Sequence, residues 1–304
     1  MKVKAFSFGL LIGLFVIGAA QYLAQSPGDD DVRGSFLTTR PKTTEKSKAP
    51  STRRPRRRPT ATTTSVNPAT TNSDSSETGA KNYNEASSSK KPATAQRLGL
   101  GLTLFMRDSN GLAVRVDPNH EFHKGDLVRV LLETNSDGHL YIFNTTDGGA
   151  PVMIYPNAQL DEGGNYIQAH VPFEIPASDA TEERLRWFAF DEHAGAERLY
   201  FVFTREPLPV VPIEDALLKY CGDNKKTCGW QPATELWARL QKELDTPLQV
   251  AKAKTNGRAE APAEHDAATR GIGLAKDDPA PSLVMMNATS AAGTLVTFLE
   301  LVHK

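Results

Sequence analysis

The sequence has few of the features that mark specialised protein classes. It contains only two cysteines, which excludes a small fold held together by several disulfides. It has no heptad repeat and no Gly-X-Y repeat, which excludes a coiled coil and a collagen helix. Its one long apolar run covers residues 5–20, which excludes a protein with several membrane spans.

Motifs of common enzymes and metal sites are also missing. There is no GxSxG sequence, no P-loop and no Gly-rich dinucleotide fingerprint. His120 and His123 are spaced like metal ligands, but no third ligand lies at a diagnostic spacing. We therefore predict a protein that is not an enzyme, with no catalytic residues, no metal site and no cofactor.

The amino terminus has the layout of an export signal. Two lysines precede the apolar run, and the small residues 18–20 end it. The run is short for a membrane span, which needs about 20 apolar residues, but it can be extended to Ala24. Residues 1–24 are predicted to be a cleaved signal peptide or an uncleaved anchor in the inner membrane. In both cases the rest of the chain is exported to the periplasm or cell envelope.

A basic, Pro/Thr/Ser/Arg-rich tract follows the signal. From Ser26 to Arg97 there are 14 Lys and Arg against 7 Asp and Glu, and no apolar periodicity, so residues 25–97 are predicted to be a disordered linker. The linker is either a solvated spacer or a site for anionic lipid head groups or acidic wall polymers. Nucleic acid binding is not expected, because Tyr83 is the only aromatic residue of the tract after Phe36. The candidate binding residues are Arg53, Arg54, Arg56, Arg57 and Arg58.

Residues 98–304 read as a single folded domain. Strand-like segments of 5 to 8 residues recur between Gly, Asp, Asn and Pro breaks, which is typical of antiparallel sheets packed face to face. The predicted fold is a mainly β, Ig-like β-sandwich with a two-helix insertion at residues 212–246. We expect a long loop over residues 255–281, and a closing hairpin formed by the last two strands.

The two cysteines lie between the predicted helices. Cys221 and Cys228 have six residues between them. This spacing suits a local structural disulfide in an exported protein.

Trp187 is the candidate binding residue in the folded part. It lies beside Phe188 in an aromatic-rich region, and neighbours in a regular strand point to opposite faces of the sheet. An outward ring can stack on a sugar or a partner peptide, although core packing of this region is the alternative.

The order of motifs in this domain resembles the bacterial family called domain of unknown function 4384. The family pattern is occupied here by Gly125-Asp126, Gly138-His139-Leu140-Tyr141, Asp147-Gly148 and Pro156-Asn157. His139 stands where the family has an aromatic residue. The resemblance covers residues 122–207 best and implies an exported β-sandwich module without an assigned activity.

We therefore expect a non-enzymatic protein of the bacterial cell envelope that binds or scaffolds. Its expected partners are an anionic polymer or membrane surface, and an unidentified protein. The alternative is a hydrolase that acts on wall polymers or peptides, with a site formed by residues distant in sequence. An acidic side chain beside a His or Ser would favour the hydrolase, and a flat aromatic surface would favour the binding protein.

Overall fold

The structure, a computed structural model, describes residues 28–42, 96–158, 164–223 and 228–304. The predicted signal or anchor and most of the predicted linker lie outside these residues. No helix in the described ranges is long and apolar enough to cross a membrane.

Two antiparallel sheets form the body of the protein. The strands of sheet A are β1 (Gly99–Arg107), β2 (Ala113–Arg115), β3 (Leu127–Thr134), β7 (Phe173–Ile175), β8 (Phe188–Ala189), β10 (Leu248–Lys252) and β11 (Leu283–Asn287). The strands of sheet B are β4 (Gly138–Thr146), β5 (Val152–Tyr155), β6 (Tyr166–Ile167), β9 (Gly195–Thr204) and β12 (Thr294–His303). The helices are α1 (Asp29–Leu37), α2 (Glu214–Asp223), α3 (Thr234–Glu243) and α4 (Pro262–Arg270).

Strand pairing joins segments that are far apart in the chain. Sheet A has the order β10-β11-β1-β3-β7, with β2 also beside β1 and β8 also beside β3. Sheet B has the order β12-β9-β4-β5, with β6 also beside β4. The predicted mainly β sandwich is confirmed.

The interior of the sandwich is built from alternate residues of each strand. Val128, Val130 and Leu132 of β3 point inward, as do Phe201 and Phe203 of β9, and all five are buried. Burying a side chain of this size contributes about 1.5–3 kcal/mol. The period of two therefore specifies which face of each strand is interior.

The opposite face of sheet B is also buried, because the helical insertion covers it. Tyr141, Phe143 and Tyr200 point outward from the sandwich and pack beneath α2 and α3. The Trp237 ring of α3 lies 4.9 Å from the Tyr200 ring and 5.6 Å from the Phe143 ring. Both faces of these aromatic-rich strands are therefore buried.

The predicted disulfide between Cys221 and Cys228 is confirmed. Their Cα atoms are 4.8 Å apart. The bridge joins the end of α2 to the chain that leads into α3. It therefore closes the corner between the two inserted helices.

Two sequence predictions for the carboxy-terminal part are wrong. Residues 255–281 are not one long loop, because they contain α4, which begins at Pro262 and is followed by Gly271 in the left-handed conformation with φ 63°. The last two strands do not form a hairpin, since β11 pairs with β1 and β10 while β12 pairs with β9. The chain crosses from sheet A to sheet B between them.

The linker prediction also does not hold over residues 28–42, where the structure has α1. Val32 and Phe36 are four residues apart, so they share one face of the helix, and both are buried against β10 and β11. The Phe36 ring lies so close to β1 that an added Cβ on Gly99 would approach it to 2.9 Å. The polar composition of the surrounding tract concealed this short amphipathic pattern.

Candidate functional site

The outer face of sheet A carries charged side chains that are nevertheless buried. On β3, Arg129 and Glu133 alternate with the apolar residues of the interior. A buried charge is tolerated only when it is paired. Each charge has a partner, either in a segment that covers the sheet or on a neighbouring strand. The pairs are Arg40–Glu133, Arg115–Glu264, and Arg129 with Glu260 and with Glu174 of the neighbouring strand β7.

The pair between Arg40 and Glu133 attaches the amino-terminal segment to the sheet. Arg40 Nε donates to Glu133 Oε1 at 2.8 Å, and Nη2 donates to Oε2 at 2.6 Å. The two side chains are 0% and 3% exposed. The remaining guanidinium hydrogens are donated to backbone carbonyls at 2.9–3.2 Å, which belong to Ala275, Asp278 and Pro279. All five donors of Arg40 are therefore engaged.

His170 extends this network to Thr39. Its Nδ1 lies 2.7 Å from Glu133 Oε1, and its Nε2 lies 2.7 Å from Thr39 Oγ1. The Thr39 hydroxyl also donates to the Phe36 carbonyl at 2.9 Å. These contacts join Phe36, Thr39, His170 and Glu133 in one continuous hydrogen-bond chain.

The network keeps Glu133 ionised. Burial raises the pKa of its carboxyl, but the hydrogen bonds from His170 and Arg40 outweigh burial and hold the pKa below its ordinary value. A lowered carboxyl pKa contributes stability that is present above the pKa of the unfolded chain. That contribution is lost as the pH falls through the pKa of the folded state.

A second cluster lies around Arg129, further along β3. Its Nε is 3.1 Å from Glu174 Oε1, and its Nη2 donates to Glu260 Oε2 at 2.9 Å. The Trp187 ring centroid lies 4.4 Å from Arg129 Cζ, in cation–π geometry. Trp187 is thus half-buried, with one face against the guanidinium. Its role in binding a sugar or peptide stays a prediction.

Two carboxylates share the single positive charge of Arg129, and one of them holds a proton. Burial, followed by the charge of Glu174, raises the pKa of Glu260 to about 8. The Glu260 side chain is 11% exposed, so its proton can exchange with solvent. Glu260 is consequently neutral over most of the physiological pH range.

The other predicted site residues are not brought together. Arg53, Arg54, Arg56, Arg57 and Arg58 lie outside the described residues. His120 and His123 are exposed on the loop before β3. Among the residues that the structure describes, no group of three or more His, Cys, Asp or Glu side chains is placed to hold a metal ion.

Sequence reasoning missed Arg40, Glu133 and His170 as a unit. Two signals were present. Arg129 and Glu133 are charges of one parity within an otherwise apolar strand, which indicates an outer face with ionic partners. The sequence DDDVRGSFL has acidic residues in its first turn and an i, i+4 apolar pair, which indicates a short amphipathic helix.

The raised pKa of Glu260 generates a prediction about stability. Between about pH 4.5 and 8 the folded protein keeps a proton that the unfolded chain releases, so the free energy of unfolding falls as the pH rises through this window. Glu260→Gln mimics the neutral acid and should remove about 2 kcal/mol of this fall in the free energy of unfolding. The effect should be smaller than the full pKa shift of Glu260 implies, because its carboxyl group reaches solvent.

Urea unfolding at a series of pH values measures this effect. Glu235→Gln, at an exposed position of α3, is the matched control and should keep the wild-type pH profile. A Glu260→Gln profile as steep as that of the wild type would show that Glu260 is ionised in the folded protein.

Comparison with known proteins identifies one segment of the chain. Residues 121–207 match the family model described as domain of unknown function 4384. No curated protein and no solved structure matches the chain. The matched range includes Glu133, Glu174 and His170 but lacks β1 and β12, so the folded unit is larger than the match. The resemblance read from the motifs is thus confirmed, and residues 121–207 match the domain of unknown function 4384 family.

Proposed function

We propose that the protein is exported to the bacterial cell envelope, is not an enzyme, and binds anionic envelope material through its basic segment. One observation carries the proposal: residues 28–42 dock on the folded domain through Arg40 and Glu133. The basic segment, defined as residues 43–95, therefore starts and ends on the domain. The domain acts as a platform that presents this segment.

The distribution of charge supports this division of roles. The basic segment has 10 Lys and Arg against 4 Asp and Glu. Residues 96–304 have 20 against 29, a net charge of −9. An acidic domain repels anionic polymers, so attraction must come from the basic segment, where Arg53–Arg58 concentrate the positive charge.

The docking of α1 limits the distance between the domain and a membrane in one case, that of an uncleaved anchor. When residues 1–24 serve as an anchor, only residues 25–27 separate it from the docked segment. Three residues span at most about 11 Å, so in the anchored form the docked segment lies close to the lipid surface. The Cys221–Cys228 bridge is compatible with this exported location.

The proposed binding can be tested on anionic lipid vesicles and on cell-wall fragments. Retention of the wild-type protein should fall steeply as salt is raised, because binding releases counterions. Replacing Arg53, Arg54, Arg56, Arg57 and Arg58 with Gln should weaken retention at least about tenfold. Replacing the same five residues with Lys preserves the charge and should preserve retention. Equal retention of the Gln and wild-type proteins would contradict the proposal.

A hydrolase is the second candidate, and one observation favours it. Thr39, His170 and Glu133 form a hydroxyl–imidazole–carboxylate chain with two contacts of 2.7 Å, the arrangement that activates a nucleophile in many hydrolases. However, Arg40 occupies both oxygens of Glu133, and the Thr39 hydroxyl donates to a backbone carbonyl. These contacts favour a structural role.

Thr39→Val separates the two functions. The substitution removes the hydroxyl at nearly constant size. It should weaken the docking of residues 28–42 on the domain by about 1 kcal/mol and leave retention on anionic surfaces unchanged. Turnover of wall fragments and fluorogenic peptides is then compared among the wild type, Thr39→Val and the neighbouring Thr38→Val. We expect no turnover by any of them. Turnover that is lost only in Thr39→Val would establish the hydrolase.

A further inference from the structure

Residues 257–281, called the α4 segment from here on, lie over sheet A and contact two separate charged clusters. The amino-terminal part of the segment is bound to the sheet by two carboxyl groups. Glu264 accepts from Arg115 Nη2 at 2.5 Å, and Glu260 accepts from Arg129 Nη2 at 2.9 Å. The charges of the sheet therefore hold this part of the segment in place.

The carboxy-terminal part of the α4 segment holds the docked amino-terminal segment. Arg40 donates to three of its carbonyls, and Arg33 Nη1 donates to the Pro281 carbonyl at 2.8 Å. In the opposite direction, the Lys276 N–H donates to the Pro41 carbonyl at 3.1 Å. The docking of the amino-terminal segment therefore depends on the position of the α4 segment.

The contact between the α4 segment and sheet A buries three carboxyl groups against two guanidinium groups. All five side chains are at most 11% exposed, and they are Glu174, Glu260, Glu264, Arg115 and Arg129. Arg115 balances Glu264, so Arg129 is left between the other two carboxyl groups. Since buried like charges disfavour each other's ionised form, the cluster is neutral when Glu174 and Glu260 share one proton.

The surroundings of Glu174 and Glu260 also favour a shared proton. Oε1 of each residue is buried and has no hydrogen-bond partner among the described residues, and a proton between the two carboxyl groups supplies a donor. His265 of α4 also faces the pair, with Nδ1 3.7 Å from Glu260 Oε1, but its side chain is 50% exposed and solvent screens its charge. Ionisation of both carboxyl groups therefore leaves an unbalanced negative charge between β7 and the α4 segment.

We propose that the α4 segment couples the shared proton of Glu174 and Glu260 to the docking of residues 28–42. Glu174 is fixed in β7 within sheet A, whereas Glu260 lies on the covering segment, so repulsion between the two ionised groups displaces the segment. Glu260 then gains water, and the carbonyls that accept from Arg40 move with it. Loss of the proton therefore weakens the docking of residues 28–42.

The direction of the pH dependence follows from Glu260. Burial, then the charge of Glu174 and to a smaller extent that of Glu264, raises the pKa of Glu260 to about 8 when the segment is closed. In an open segment this pKa returns toward its ordinary value of 4.5. The closed segment keeps a proton that the open one releases between about pH 4.5 and 8, so opening becomes easier as the pH rises through this window. By linkage, undocking of residues 28–42 lowers the proton affinity of Glu260.

The coupling acts on one of the two attachments of the basic segment. The amino-terminal attachment is made by residues 28–42 and is held by the α4 segment. The other attachment leads directly into β1, which lies in the middle of sheet A. Only the first attachment is therefore sensitive to the proton of Glu260, whatever ligand the basic segment binds.

Hydrogen exchange of the full-length protein, followed by mass spectrometry of its peptides, measures the opening of each segment. Protection is compared at about pH 6 and pH 8 after correction for the intrinsic exchange rate. In the wild type, the protection of residues 29–38 and of residues 262–276 should fall together by at least about tenfold. Peptides of β9 report global unfolding and should remain more protected at both pH values.

Two substitutions remove the repulsion that opens the segment. Glu260→Gln and Glu174→Gln each leave one carboxyl group beside Arg129, so both segments should keep the same protection at the two pH values. Glu235→Gln, at an exposed position of α3, is the matched control and should show the wild-type loss of protection.

Loss of protection in α4 while residues 29–38 keep theirs would show that the two segments are not coupled, and it would overturn the proposal. Wild-type protection that is independent of pH would also overturn it. The same holds for a Glu260→Gln protein that loses protection like the wild type, and for segments that exchange only together with β9.

Discussion

The buried carboxylate of Glu133 determines where the amino-terminal segment lies. Leaving such a charge without its partners costs about 3–5 kcal/mol. Arg40 is the partner that the amino-terminal segment supplies, beside His170 of the domain. Once Arg40 is in place, Phe36 is brought against β1, where Gly99 leaves room for its ring. The segment after the predicted signal is thus part of the folded domain, and the 53 residues of the basic segment are attached to it at both ends.

The two outer faces of the sandwich are covered by different kinds of contact. Sheet B is covered by apolar packing beneath α2 and α3, which tolerates small displacements. Sheet A is covered by ion pairs from Arg40, which follows α1, and from Glu264 of α4, together with the small apolar contact of Val32 and Phe36. Ion pairs and bidentate hydrogen bonds need specific geometry, so α1 has one defined position on sheet A.

Local patterns explain which features could be predicted from the sequence. Strand alternation, turn residues and the spacing of Cys221 and Cys228 act over a few residues, and they predicted the sandwich, the inserted helices and the disulfide. The docking network joins Arg40 to Glu133 across 93 positions and Thr39 to His170 across 131. No local pattern specifies such pairs. The sequence did not predict α4 for a related reason. Its one buried carboxylate, Glu264, is paired with Arg115 of β2, which lies 149 positions away in the chain.

Docking of residues 28–42 is tested most directly by cutting the chain in the basic segment. A specific protease site is inserted after Arg58, the folded protein is cleaved, and the fragments are separated by size-exclusion chromatography under native conditions. The two fragments should elute together, and the same cleavage of an Arg40→Ala variant should release the amino-terminal fragment. Separation of the fragments of the Arg40-containing protein would contradict the docking of this segment on the domain.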